Sequence, residues 1–113
     1  MRTIQKPWGK EEIWAETETY AGKYLYIDRG HRLSRQYHEK KEETIRVISG
    51  VLLLELGAGP PVTLLMLEAG DTFHIPPNTV HRFCASVHDD VVLVEVSTNE
   101  LNDVIRLEDD YSR

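Results

Sequence analysis

The sequence predicts an all-β domain, a sandwich or small barrel, and three observations carry that prediction. Short runs rich in β-branched and aromatic residues recur along the chain. Turn chemistry separates them at near-regular intervals. No long stretch repeats its apolar residues at a helical period, as a helix packed on a sheet would require.

Taken in order, strands are expected at 23–28, 44–48, 51–56, 62–67, 79–84 and 91–96. Each pairs residues such as Val, Ile, Thr, Tyr and Leu with a breaker on at least one side. The breakers are Ser49-Gly50, Gly57 through Pro61, Ala69-Gly70-Asp71, Pro76-Pro77-Asn78 and His88-Asp89-Asp90. Residues 98–103 read either as one short helical turn capped by Thr98 or as a loop. An N-terminal strand that pairs across two copies would protect a sheet edge. Lys40-Lys41-Glu42 reads as a solvated hairpin tip, and Trp8 and Trp14 as seals of a core or a contact, or as platforms for a ring.

Composition narrows the setting. A chain of 113 residues makes one domain, 1–113, without internal repeat or linker. Nineteen acidic against thirteen basic residues leave a net charge of −6, which argues against nucleic acid or an anionic membrane as partner. The single cysteine, Cys84, cannot form an internal disulfide and reads as a small buried hydrophobe. The opening Met1-Arg-Thr-Ile-Gln-Lys-Pro lacks an apolar signal core, and no run approaches a membrane span. A cytoplasmic protein is expected.

Polar residues at fixed spacing supply the chemistry. Gly30 is followed by five residues, Gln36-x-His38, four residues, Glu43, six residues and Gly50. A second block runs Gly70, five residues, Pro76-x-Asn78, two residues and His81. Two residues apart on a strand, Gln36 and His38 share a face with Ser34, leaving Arg35 and Tyr37 outward. His81 then faces inward with Phe83, and Arg82 outward. Imidazoles, a carboxylate and an amide oxygen suit one divalent metal ion, with zinc, manganese, iron, cobalt and nickel all compatible. His31 and His88 read as solvated loop residues.

These spacings resemble the two motifs of the cupin superfamily, with Gln36 where most members carry a His and Asn78 in place of a Gly. The resemblance implies a double-stranded β-helix, the jelly-roll barrel of that superfamily, and by analogy a homodimer. Lys6-Pro7-Trp8-Gly9, the segment 33–38, Thr79-Val80-His81-Arg82 and the ending 104–113 are similar to one family in particular. They resemble the cupin domain of type II mannose-6-phosphate isomerases, here without the guanylyltransferase domain that commonly accompanies it. The family's metal ligands carry over onto Gln36, His38, Glu43 and His81, and its C-terminal segment places Arg106 near the pocket.

Four protein ligands leave one or two positions open on a metal that accepts five or six. Such an ion can chelate the carbonyl and hydroxyl oxygens of an α-hydroxy aldehyde or ketone and stabilise an enediolate. The expected activity is therefore aldose–ketose isomerisation of a phosphorylated sugar. A metal-dependent dioxygenase and a non-catalytic sugar-binding or regulatory cupin are the alternatives. For the base, Glu95 interrupts an apolar run and His74 lies just before Pro76; a solvated Glu95 on a half-exposed strand is the competing reading. For the anion, Arg106 and Arg113 come first, with Lys6 and Lys23 behind them.

Overall fold

Alternating short apolar runs close into two antiparallel sheets, and the order of strands explains why so few residues suffice. The structure is a computed structural model and describes residues 1–111; Arg113, an anion-site candidate, lies outside the described residues. The strands are β1 (Arg2–Lys6), β2 (Gly9–Glu16), β3 (Tyr20–Ile27), β4 (Arg35–Tyr37), β5 (Glu43–Ser49), β6 (Leu52–Leu56), β7 (Thr63–Leu67), β8 (Thr72–Ile75), β9 (His81–Ala85), β10 (Val91–Thr98) and β11 (Ile105–Glu108). One sheet runs β1-β2-β3-β10-β5-β8 and the other β11-β4-β9-β6-β7. The expected double-stranded β-helix barrel is the architecture found. No helix among the described residues is long and apolar enough to cross a membrane.

The strands that carried no strong sequence signal are β1, β2, β4, β8 and β11. Three of these, β4, β8 and β11, are only three or four residues long, and β1 and β11 are sheet edges. Pairing, rather than their own patterning, holds them. Residues 99–104 form a loop, not a helical turn: Thr98 ends β10, and the Asp103 amide bonds the Glu100 carbonyl at 3.1 Å.

Leu25, Ile27, Ile45, Val47, Leu52, Leu54, Phe83, Val91 and Leu93 fill the space between the sheets. Full burial of one such side chain is worth about 1.5–3 kcal/mol. Trp8 is part of this core. Along each inward row the character changes at the same end of the barrel. Val91 and Leu93 give way to Glu95 on β10, Val47 and Ile45 to Glu43 on β5, and Ile27 and Leu25 to Lys23 on β3. Ala85 and Phe83 likewise give way to His81 on β9. Registers Glu95↔Lys23, Ser97↔Glu43 and Gln36↔His81 align these polar ends.

Two residues expected outward are buried. Arg82 and Arg35 do leave the barrel interior, but β11 and the residues after it cover them. Arg82 donates to the Leu33 carbonyl at 2.8 Å and to Asp110 at 2.9 Å, while Arg35 bridges Glu55 at 2.7 Å and Glu108 at 2.9 Å. Cys84 is buried as expected, and burial with Glu55 alongside pushes its thiol up to about 11, so it stays protonated.

Candidate metal centre

At the polar end of the barrel, two imidazoles and a carboxylate face one another. Glu43 Oε1 lies 3.6 Å from His81 Nε2, and Glu43 Oε2 lies 3.7 Å from His38 Nε2. All three residues are buried, with ligand atoms within 4.8 Å of one another. Both rings are oriented from behind. His38 Nδ1–H donates to the Asp103 carbonyl, and His81 Nδ1–H donates to the Thr79 carbonyl at 2.9 Å. Each bond sets the tautomer that leaves Nε2 bare toward the centre.

Those bare atoms are the test of whether a metal fits. His38 Nε2, His81 Nε2 and Glu43 Oε1 are buried without a hydrogen-bond partner, and Glu43 Oε2 has only the Lys41 ammonium, 2.9 Å away. Each unsatisfied buried group costs about 1–3 kcal/mol. Three such acceptors facing one another beside Glu43 Oε2 match the needs of a divalent ion with nitrogen and oxygen ligands. Gln36 lines the same cavity, with its side-chain oxygen accepting from Ser34 Oγ at 2.9 Å and one lone pair still free. Burial pushes His81 down to about 4 and also lowers His38, so both rings are neutral and ready to bind.

A second layer of charge surrounds the ligands. Burial and the neighbouring Glu95 raise the Glu43 carboxyl above its usual range. Burial acts the same way on Glu95, but Lys23 and Lys41 overcome it and hold Glu95 ionised. Lys41 Nζ sits 2.9 Å from Glu43 Oε2 and 3.0 Å from Glu95 Oε2, and Lys23 Nζ lies 3.6 Å from Glu95 and 3.2 Å from Glu11. Burial disfavours the Lys41 ammonium, yet Glu95 and Glu43 outweigh that and keep it charged.

Access comes through two connected spaces. A cavity of about 80 Å³ beside the ligands is lined by Gln36, His38, Lys41, Glu95, Phe83 and Arg106, among others, while Glu43 and His81 do not line it. A cleft of about 750 Å³ shares Lys6, Glu11, Lys23 and Leu101 with it. Lys6 Nζ is 3.9 Å from Glu11, and Arg106 is exposed without an ion-pair partner among the described residues.

The family model described as Mannose-6-phosphate isomerase C-terminal matches residues 1–109. The chain belongs to this family. The mannose-1-phosphate guanylyltransferase RfbM of Salmonella typhimurium is similar to this chain, with 28% identity over 108 residues. That match covers 93% of this chain and 22% of RfbM. The chain thus spans less than a quarter of that relative. The capsular polysaccharide assembling protein CapF of Staphylococcus aureus has the same fold, with TM-score 0.81, 15% identity, and coverage of 95% of this chain and 34% of CapF. A cupin-like protein of Thermotoga maritima gives TM-score 0.76 at 19% identity, covering 91% of this chain and 78% of that one. At these identities the structural likeness establishes the cupin fold and nothing finer.

Several residues stand elsewhere than the sequence suggested. Glu95 is inward and 3% exposed, so the solvated alternative is excluded. His74, the other candidate base, points to the opposite face of β8 and pairs with Glu42 at 2.6 Å in solvent. Lys40 and Glu42 are solvated, but Lys41 between them is 5% exposed and folds into the centre. Trp14 lies on the outer face of its sheet against Tyr24, away from the cleft. His31 stacks on Tyr111, and His88 is exposed.

Sequence reasoning missed Lys41, Lys23 as a partner of Glu95, and Asp103. The Asp103 carboxylate accepts from the amides of Glu39, Lys40 and Lys41 at 3.1, 2.7 and 2.9 Å, while its carbonyl holds His38. One signal was available: Lys23 and Glu95 both interrupt apolar runs at inward positions, where charges rarely occur unpaired. Asp103 offered no such signal.

Proposed function

We propose that this domain is a metal-dependent aldose–ketose isomerase of a phosphorylated sugar, similar in activity to mannose-6-phosphate isomerase. The observation that carries the reading is the placement of one ionised carboxylate, Glu95, beside the candidate ligands: it lines the same small cavity as Gln36 and His38 and shares the Lys41 ammonium with Glu43. A divalent ion held by these residues with Gln36 would supply Lewis acidity toward adjacent carbonyl and hydroxyl oxygens. Glu95 removes the proton from the carbon bearing the hydroxyl and returns it to the former carbonyl carbon, while the hydroxyl proton passes to the former carbonyl oxygen, so that the two oxygens exchange roles. Lys23 and Lys41 fix the position of Glu95 and keep it unprotonated. Arg106, at the cavity wall and without an ion-pair partner among the described residues, and Lys6, shared with the larger cleft, bind the phosphate. The small cavity admits the reacting carbons, and the larger cleft takes the rest of the molecule.

Nuclear magnetic resonance in deuterated water tests this reading. Metal-loaded protein should place solvent deuterium at C2 of a sugar phosphate, with mannose 6-phosphate tried first, and His81→Ala should not. No exchange across a panel of phosphorylated aldoses and ketoses would refute the isomerase. Oxygen uptake by the iron-loaded protein would identify a dioxygenase instead.

The setting we infer is cytoplasmic, and the active form a homodimer. Trp14, Tyr24, Val94, Val96 and Ile48 share the outer face of the six-stranded sheet, with Trp14, Val96 and Ile48 about half exposed. A second copy of the same face would cover this apolar strip.

A further inference from the structure

The position of Lys41 has a consequence for the metal centre itself. Its ammonium is buried within 3.0 Å of two carboxylates, and one of these is a ligand residue. The two carboxylates do not depend on it equally. Glu95 keeps a second cation, Lys23, at 3.6 Å. Glu43 has none: among the described residues its other ionisable contacts are the imidazoles of His38 and His81, at 3.7 and 3.6 Å. Among the described residues, Lys41 is therefore the only Lys or Arg within 4 Å of Glu43.

We propose that Lys41 is a built-in counter-cation of the centre, neutralising Glu43 when no metal is present and competing with a divalent ion for that carboxylate. The proposal rests on the reading of His38, Glu43 and His81 as metal ligands. Two cations on one buried carboxylate repel each other, and little water is present to screen them. The ammonium thus makes the folded protein independent of metal and makes the bound ion exchangeable. A structural metal site behaves in the opposite way, because there the ion itself supplies the folding energy. The same geometry removes Lys41 from nucleophilic roles, since an amine clamped between carboxylates stays protonated.

Calorimetric titration of chelator-treated protein with zinc or manganese ions alone, at pH 8, tests the idea alongside thermal unfolding with and without the ion. Lys41→Met should bind the ion at least about tenfold more tightly than wild type. Its unfolding temperature should fall without metal and rise with metal by more than the wild-type protein's does. A purely structural lysine would lower both temperatures equally and leave affinity alone. Affinity within about twofold of wild type, or weaker, overturns the proposal. Should Lys41→Met fold only with metal supplied, the ion has replaced the ammonium, which supports it. If that variant folds under neither condition, Lys41→Met/Glu95→Gln removes a compensating pair. It should then show the larger metal-induced rise, and a rise no greater than wild type overturns the proposal. His81→Ala separates the two readings: if it binds the ion as wild type does, the ligand assignment has failed. If binding needs His81 but ignores Lys41, only the counter-cation has failed.

Discussion

Asp103 shows how much of this centre depends on a residue that is not itself a candidate ligand. Its carboxylate gathers three consecutive amides of the 39–41 loop, and its carbonyl orients His38. Those amides, led by Lys40 and Lys41, hold the Asp103 carboxyl below its usual range. Asp103→Ala should loosen the loop that delivers both His38 and Lys41. Metal affinity is then expected to drop about 10–100-fold, as for other outer-shell losses, measured by titration at fixed pH. An unchanged affinity would remove Asp103 from the centre. Acid should act on a ligand directly. Glu43 is raised to about 7 by burial and by Glu95, and the metal takes only the ionised form. Affinity should therefore be full above about pH 7 and decline on acidification, approaching about tenfold per pH unit. His81, pushed down to about 4, adds competition only at lower pH. A flat affinity profile from pH 8 to pH 5 would contradict this.

At the level of elements, the turns between strands set where the ligands arrive. Gly50, between β5 and β6, has φ +77°, and a Cβ there would lie 2.2 Å from the Asp90 carbonyl oxygen. Gly70 has a similar φ of +93° but no atom within 4 Å of its missing Cβ. Alanine at Gly70 meets only the conformational penalty, about 1 kcal/mol. Alanine at Gly50 meets that and a backbone collision, so urea denaturation should show a loss of more than about 2 kcal/mol. Equal losses at the two positions would mean the turn yields easily. Asn78 belongs to the same logic. It takes φ 63°, as an Asn in a glycine position can, and its amide bonds the His38 carbonyl at 2.7 Å. The spacing around Gly30, Gly50 and Gly70 was legible because each glycine marks a turn that only such a residue permits. Strand β11 was not legible: it pairs because β4 presents an edge, and four residues carry no period of their own.

For the whole molecule, the proposed dimer rests on the outer face of the six-stranded sheet. Val96→Asp places a charge in the strip of Trp14, Tyr24, Val94 and Ile48 without touching the inward Glu95 or Ser97. Sedimentation equilibrium should report a dimer for wild type and a monomer for the variant; a wild-type monomer at high concentration refutes the assembly. Beyond that prediction, the division between sequence and structure follows from range. Alternation with period two is local, so the chain by itself determined an all-β barrel and the inward direction of Gln36, His38 and His81. Motif spacing likewise singled out Glu43. Only the tertiary structure decided what meets those residues. Whether Glu95 was buried or solvated depended on Lys23 lying across from it in an antiparallel register. Lys41 looked like solvent-facing charge beside Lys40, and it is buried because Glu43 and Glu95 converge from two strands to receive it. Arg82 looked outward, and the C-terminal strand closed over it. In each case a charge was placed by partners distant in sequence, and the energy of burying it is settled only when those partners are in contact.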